Sequence, residues 1–135
     1  QKDRNGKLLY TSDPDHCCSI NKTQPLETVL AAYDVWINGI RADQNAIRST
    51  MKAEQVAPHS TIRFHPMLDW DGKKIFNYLK KYNIPRHPLE ERGYISIGCE
   101  PCTRKINLEM QVREARWFGL NKIECGLQTD LITKE

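Results

Sequence analysis

Apolar residues recur at helical spacing in two stretches of the chain and alternate with polar ones in a third. Over residues 24–33, Leu26, Val29, Leu30 and Tyr33 share one face, and Pro25 is tolerable near the start, so this stretch predicts a helix. VWING (35–39) is a short apolar run closed by Gly39 and predicts a buried strand. Residues 41–57 are charged and weakly periodic, and predict a loop followed by a frayed helix. TIRFH (61–65) alternates, carries β-branched residues and stops at Pro66, which predicts a second strand. Asp71 then reads as the N-cap of a helix over 72–82. Its apolar face is Ile75, Phe76, Leu79 and Tyr82, with Lys73, Lys74, Lys80 and Lys81 turned to water. Asn83, Pro85 and Pro88 end it. A loop carrying YISIG over 88–102, a short helix over 109–117 and a mobile tail from Gly119 complete the reading. Strand and helix signals alternate, so the fold class is α/β with a mainly parallel sheet: a domain over 1–118 and a flexible tail over 119–135.

Composition narrows the class without naming it. The 135 residues suit one domain, and 39% hydrophobic with 27% charged residues is ordinary for a globular protein. No run approaches the roughly 20 apolar residues that cross a bilayer, and no signal-peptide pattern opens the chain, so a cytoplasmic protein without membrane contact is expected. The net charge of +3 is spread without a basic stripe. That gives no argument for nucleic acid, which is not expected as a partner, and permits a small anionic substrate. The chain opens on Gln1 in a polar, aperiodic stretch, QKDRNGKLLYTSD, and is expected to be an internal piece of a longer protein.

The five cysteines carry the most chemical information: Cys17-Cys18, Cys99-x-x-Cys102 and Cys125. An odd count with a vicinal pair fits a secreted disulfide framework badly. Adjacent Cα atoms stand about 3.8 Å apart, below the roughly 4.4 Å that a disulfide needs, so Cys17 and Cys18 should not pair with each other. Four plus one is the natural division. Soft thiolates on a CEPC turn select zinc or an iron–sulfur cluster. Zinc favours two short knuckles, whereas vicinal cysteines can reach two different irons of one cubane; unligated redox thiols are the third option. Cys125 lies in KIECGLQ, followed by Gly126 in polar surroundings. A lone cysteine is often an inert small core residue. Here the context predicts a partly exposed position instead.

The ordered strings HCCSINKTQPL, WINGIRADQNAIR, HPMLDWDGKKIFNYLKKYNIPRHPLEERGYISIGCEPCTR, REARW and KIECGL run from about Asp15 to Gln128. Together they resemble the adenylyl-sulfate and phosphoadenylyl-sulfate reductase family, and the combination of CC, YxSIGCxPCTR and ECGL is the specific part. The resemblance implies the C-terminal part of an adenine-nucleotide-hydrolase-like (ATP pyrophosphatase-type) domain. It implies that Cys17, Cys18, Cys99 and Cys102 hold a [4Fe–4S] cluster. It also implies that Cys125 attacks the sulfur of adenylyl sulfate, releasing AMP and leaving an S-sulfocysteine that thioredoxin resolves to sulfite, a step of sulfate assimilation toward cysteine biosynthesis.

By the same resemblance Lys22, Arg48, Arg113 and Arg116 become substrate-binding cations, with Arg113 and Arg116 on one helix face. Arg41 is a nucleotide-phosphate or salt-bridge residue, and Gly39 lets backbone approach the nucleotide. His16, His59, His65 and His87 are given no catalytic role. Two departures stand out. The SGGxDS-like phosphate loop of full-length members is not in this sequence, and Gln128 stands where the motif usually has His. Self-association of the chain is expected. A phosphoadenylyl-sulfate reductase and a non-catalytic, zinc-stabilised binding module are the alternatives.

Overall fold

The computed structural model describes residues 1–107, 109–110 and 113–131. After two short helices, α1 (Leu9–Ser12) and α2 (Pro14–Cys18), the chain makes one wide π-type turn over Ser19–Thr23 and continues as α3 (Gln24–Leu30). Helical backbone angles persist across both junctions, so Pro14–Leu30 is one helical rod. The rod begins earlier than the expected 24–33 and ends sooner. Asp13 starts it, its carboxylate accepting from the His16 amide at 2.9 Å. Pro25 explains the wide turn: a proline inside a helix lacks an amide hydrogen and crowds the carbonyl four residues back, and widening the turn before it relieves both.

The sheet is three-stranded, in the order β1 (Val35–Ile37), β3 (Ile62–Phe64), β2 (Glu54–Val56). β1 runs parallel to β3 and β2 antiparallel to it, so the expected mainly parallel sheet is mixed. The class is α/β, as the pattern predicts. β2 occupies part of the stretch read as loop and frayed helix; only α4 (Ala46–Ser49) is helical there beyond a single turn at Ala42–Gln44. Register places Val35, Ile62 and Val56 side by side on one sheet face, and all three are at least one-third exposed. β1 is therefore an edge strand with an open face and not the buried strand that its composition suggests. The other face carries Trp36, Arg63 and Gln55, and Arg63 is fully buried.

α5 (Gly72–Lys81) matches the expected helix closely: the Asp71 carboxylate accepts from the Lys74 amide at 2.6 Å. Asn83 adopts a left-handed φ of 50° just beyond its end. The expected helix over 109–117 is absent among its described residues, which form turns, while Gln111 and Val112 lie outside them. Arg116 pairs with Thr103 in an antiparallel bridge, and the amides of Arg104 and Trp117 donate to the carbonyls of Ala115 and Cys102. These cross-chain bonds use the backbone groups that a helix would need, and they bring the REARW segment against the CEPC turn. The C-terminal part ends in α6 (Gly126–Thr129), one turn long. Among the described residues no helix is long and apolar enough to cross a membrane.

Candidate functional site

The two cysteine pairs, far apart in sequence, line one cavity of about 390 Å³ together with Asn21, Lys22, Arg116 and Trp117. α2 carries Cys17 and Cys18, and the helical rod continues directly into the wide turn that carries Lys22. The CEPC turn is a single 3₁₀ turn over Glu100–Cys102, closed by the Cys102 amide on the Cys99 carbonyl at 3.0 Å. The Thr103 hydroxyl donates to that same carbonyl at 2.8 Å and accepts from the Gly98 amide at 3.1 Å. A Cβ on Gly98 would overlap the Arg116 guanidinium and displace it from the turn. Asn21 donates to the Cys17 sulfur at 3.6 Å. Burial pushes the Cys102 thiol upward, and the nearby Cys99 and Cys17 sulfurs push it further.

Four cysteines lining one cavity are a soft donor set with no competing oxygen ligand among them, which fits an iron–sulfur cluster in chemistry. Among the described residues no three Cys, His, Asp or Glu side chains converge as a single metal ion requires. A cluster takes one thiolate at each iron and spreads its ligands more widely than one ion does.

Cys125 lies just before α6 and is 9% exposed, which corrects the expectation of a partly exposed thiol. Thr23 and Asp130 close around Gly126, and Leu131 is buried beyond it, so the motif packs on the helical rod instead of projecting into water. Lys22 donates to the Cys125 sulfur at 3.9 Å. The Cys125 pKa is held below the ordinary thiol range: Cys18 donates to its sulfur, and the Leu127 amide and the Lys22 charge add to this against the cost of burial. Cys18 moves the opposite way, raised by that same bond and by its own burial. If Cys18 is occupied by a cluster, Lys22 and the Leu127 amide remain to favour the thiolate. Burial disfavours the Lys22 charge, yet the Cys125, Cys99 and Cys18 sulfurs outweigh it and raise the pKa.

Next to the thiol lies a residue the sequence reading passed over. Glu124 has a side chain only 1% exposed. It accepts from Arg48 at 2.7 and 3.0 Å, Arg113 at 2.8 Å, Asn45 at 2.8 Å and the Cys125 amide at 2.8 Å. Burial pushes its carboxyl upward, but the Arg48, Cys125 and Asn45 bonds win and hold it at about 2. Arg48 and Arg113 are thus both joined to Glu124. Arg116 takes another path: it donates to the carbonyls of Ile97 at 3.0 Å and Cys102 at 3.3 Å, and its cation lies 4.5 Å above the Trp117 ring. Arg41 pairs with Asp43 at 2.9 Å, and Gly39 faces Met67, at 3.8 Å from where a Cβ would stand.

Arg63 is a further buried cation that sequence reasoning missed. Burial, and then the Arg48 charge, lower its pKa to about 10, with Glu124 opposing. It donates to the Gln128 amide oxygen, and two of its guanidinium nitrogens have no hydrogen-bond partner among the described residues. This contact gives Gln128 its physical reason, because a protonated imidazole could not accept from a guanidinium. His65 beside it is buried, with Nδ1 at 2.8 Å from the Lys52 carbonyl oxygen. Glu124 lies inside the ECGL motif, and Asn45 next to Gln44 in RADQN, so nearness to motif residues was the signal available for both.

A small α/β protein built around a thiol-rich, cation-lined cavity is the class that fold and site define. The chain belongs to the phosphoadenosine phosphosulfate reductase domain family, whose model matches residues 1–105. It is 39% identical over 128 residues to a protein of Bacillus cytotoxicus named adenosine 5'-phosphosulfate reductase, covering 94% of this chain and 55% of that one. A protein of the same name from Bacillus mycoides is 41% identical over 123 residues, 90% of this chain and 53% of its own length. One from Gloeobacter violaceus, named phosphoadenosine 5'-phosphosulfate reductase, is 37% identical over 125 residues, 90% of this chain and 52% of its own. The chain spans about half the length of the curated relatives it matches.

Proposed function

We propose that the protein reduces adenylyl sulfate to sulfite and AMP, with Cys125 as the nucleophile. The observation that carries this reading is the buried Cys125 thiol within reach of the Lys22 ammonium and beside the four-cysteine cavity. In the first step the Cys125 thiolate attacks the sulfonate sulfur. An S–S bond forms, the S–O bond to phosphate breaks, and its electron pair leaves on the phosphate oxygen of AMP. Lys22 keeps the thiolate charged and meets the incoming anion; Arg116, lining the same cavity, adds a second cation. Arg48 and Arg113, fixed by Glu124, supply the remaining positive field. In the second step a dithiol reductant such as thioredoxin gives two electrons to the S-sulfocysteine, releasing sulfite and the free thiol while its own sulfurs form a disulfide.

Cys17, Cys18, Cys99 and Cys102 would hold a [4Fe–4S] cluster, which supplies electrostatics and rigidity at the sulfur end of the cavity. Five free thiols suit a reducing, cytoplasmic compartment. The relatives named for the unphosphorylated nucleotide favour adenylyl sulfate, and the Gloeobacter relative keeps phosphoadenylyl sulfate as the second reading. Cys125→Ser in the full-length enzyme should abolish sulfite release and the intact-mass gain of one SO₃ group. Persistent turnover in that variant would end the proposal, and competition between the two nucleotides decides the substrate.

A further inference from the structure

Lys122 stands three residues before Cys125, with a side chain only 5% exposed. Its ammonium contacts the Asp15 carboxylate, lies 5.9 Å from the centre of the Trp117 ring, and is within electrostatic reach of the Cys18 and Cys125 sulfurs. Asp15 itself is 74% exposed, so its carboxylate can turn outward into water once another anion takes its place at the ammonium. Lys22 is already committed to sulfur, facing Cys125, Cys99 and Cys18. A sulfonate brings three acceptor oxygens to this place, and an ammonium whose donors already face sulfur leaves some of them unserved.

We infer that Lys122 is a further sulfonate ligand beside Lys22 and Arg116, which exchanges Asp15 for the oxygens of the SO₃ group as that group passes from the nucleotide to Cys125. This rests on the reading of Cys125 as the sulfonate acceptor. Lys122 holds the group in the bound nucleotide and in the S-sulfocysteine, and leaves the AMP portion alone. Asp15 is the resting partner only. A purely structural clamp between α2 and the Cys125 segment would need both members of the pair; a sulfonate ligand needs only the lysine.

The test uses the full-length, cluster-loaded enzyme. In a Cys125→Ser background, which stops turnover, Lys122→Gln should weaken adenylyl sulfate binding about tenfold or more while AMP binding holds. Lys122→Arg should recover most of the loss, and Asp15→Asn should bind adenylyl sulfate at least as tightly as the parent. With Cys125 intact, Lys122→Gln should slow single-turnover gain of SO₃, read by intact mass. Equal losses for adenylyl sulfate and AMP, or equal losses in Lys122→Gln and Asp15→Asn, would overturn the inference in favour of a clamp. Unchanged binding and sulfonation in Lys122→Gln would also overturn it. Absence of SO₃ gain in the parent enzyme would instead sink the Cys125 reading itself.

Discussion

Glu124 shows how a buried charge becomes tolerable: two guanidinium groups, one carboxamide and one backbone amide replace the water it loses. Glu124→Gln leaves Arg48 and Arg113 buried without a counter-charge and should cost roughly 3–5 kcal/mol in a denaturant titration. A loss under about 1 kcal/mol would mean that water replaces the carboxylate. The pH dependence has a definite sign. The folded carboxyl is held at about 2, below the ordinary glutamate value of 4.5, so its contribution is complete above 4.5 and disappears as pH falls through about 2. The stability gap between parent and variant should close over that window and stay constant at neutral pH. Gln128→His probes the neighbouring contact. Beside Arg63 the imidazole is held neutral, so the variant should lose up to about 1.4 kcal/mol per pH unit as pH falls below ~6.5. A thermal melt that does not move between pH 8 and pH 5 would show that residue 128 reaches solvent.

At the scale of elements, what the sequence made legible is what local chemistry decides. α5 could be read because Asp71, an amphipathic face and Asn83 are all local signals, and each acts as such in the structure. Asp71→Ala should therefore cost about 1 kcal/mol, seen by thermal melting, and leave Cys125 alkylation unchanged. The five cysteines could be divided four plus one by spacing alone, whereas Lys22 was named only by family resemblance. The helix over 109–117 failed because a bridge between Thr103 and Arg116 outweighed its periodicity, and no local rule foresees a partner in another segment. The Glu124 hub was hidden for the same reason: Asn45, Arg48 and Arg113 reach one carboxylate only after the chain has folded. β2 lay in a charged stretch whose strand character comes from pairing with β3.

For the molecule as a whole, the open sheet face is the unresolved surface. Val35, Ile37, Val56 and Ile62 are 50%, 63%, 49% and 38% exposed, and register aligns them across all three strands. β1 and β2 are both edges of this sheet, with backbone groups free to pair with another strand. A contiguous apolar face with open strand edges is a site of association in water, because every covered Å² contributes about 25 cal/mol. The 135-residue chain alone should therefore self-associate at micromolar concentration. Ile37→Lys should shift it toward monomer in sedimentation velocity, because a charge in the middle of the face must be desolvated on contact. The same substitution should leave the Arg63–Gln128 contact intact, since Arg63 and Trp36 lie on the opposite face. A chain that sediments as a monomer at high concentration, with Ile37 in place, would show that this face is satisfied by water alone.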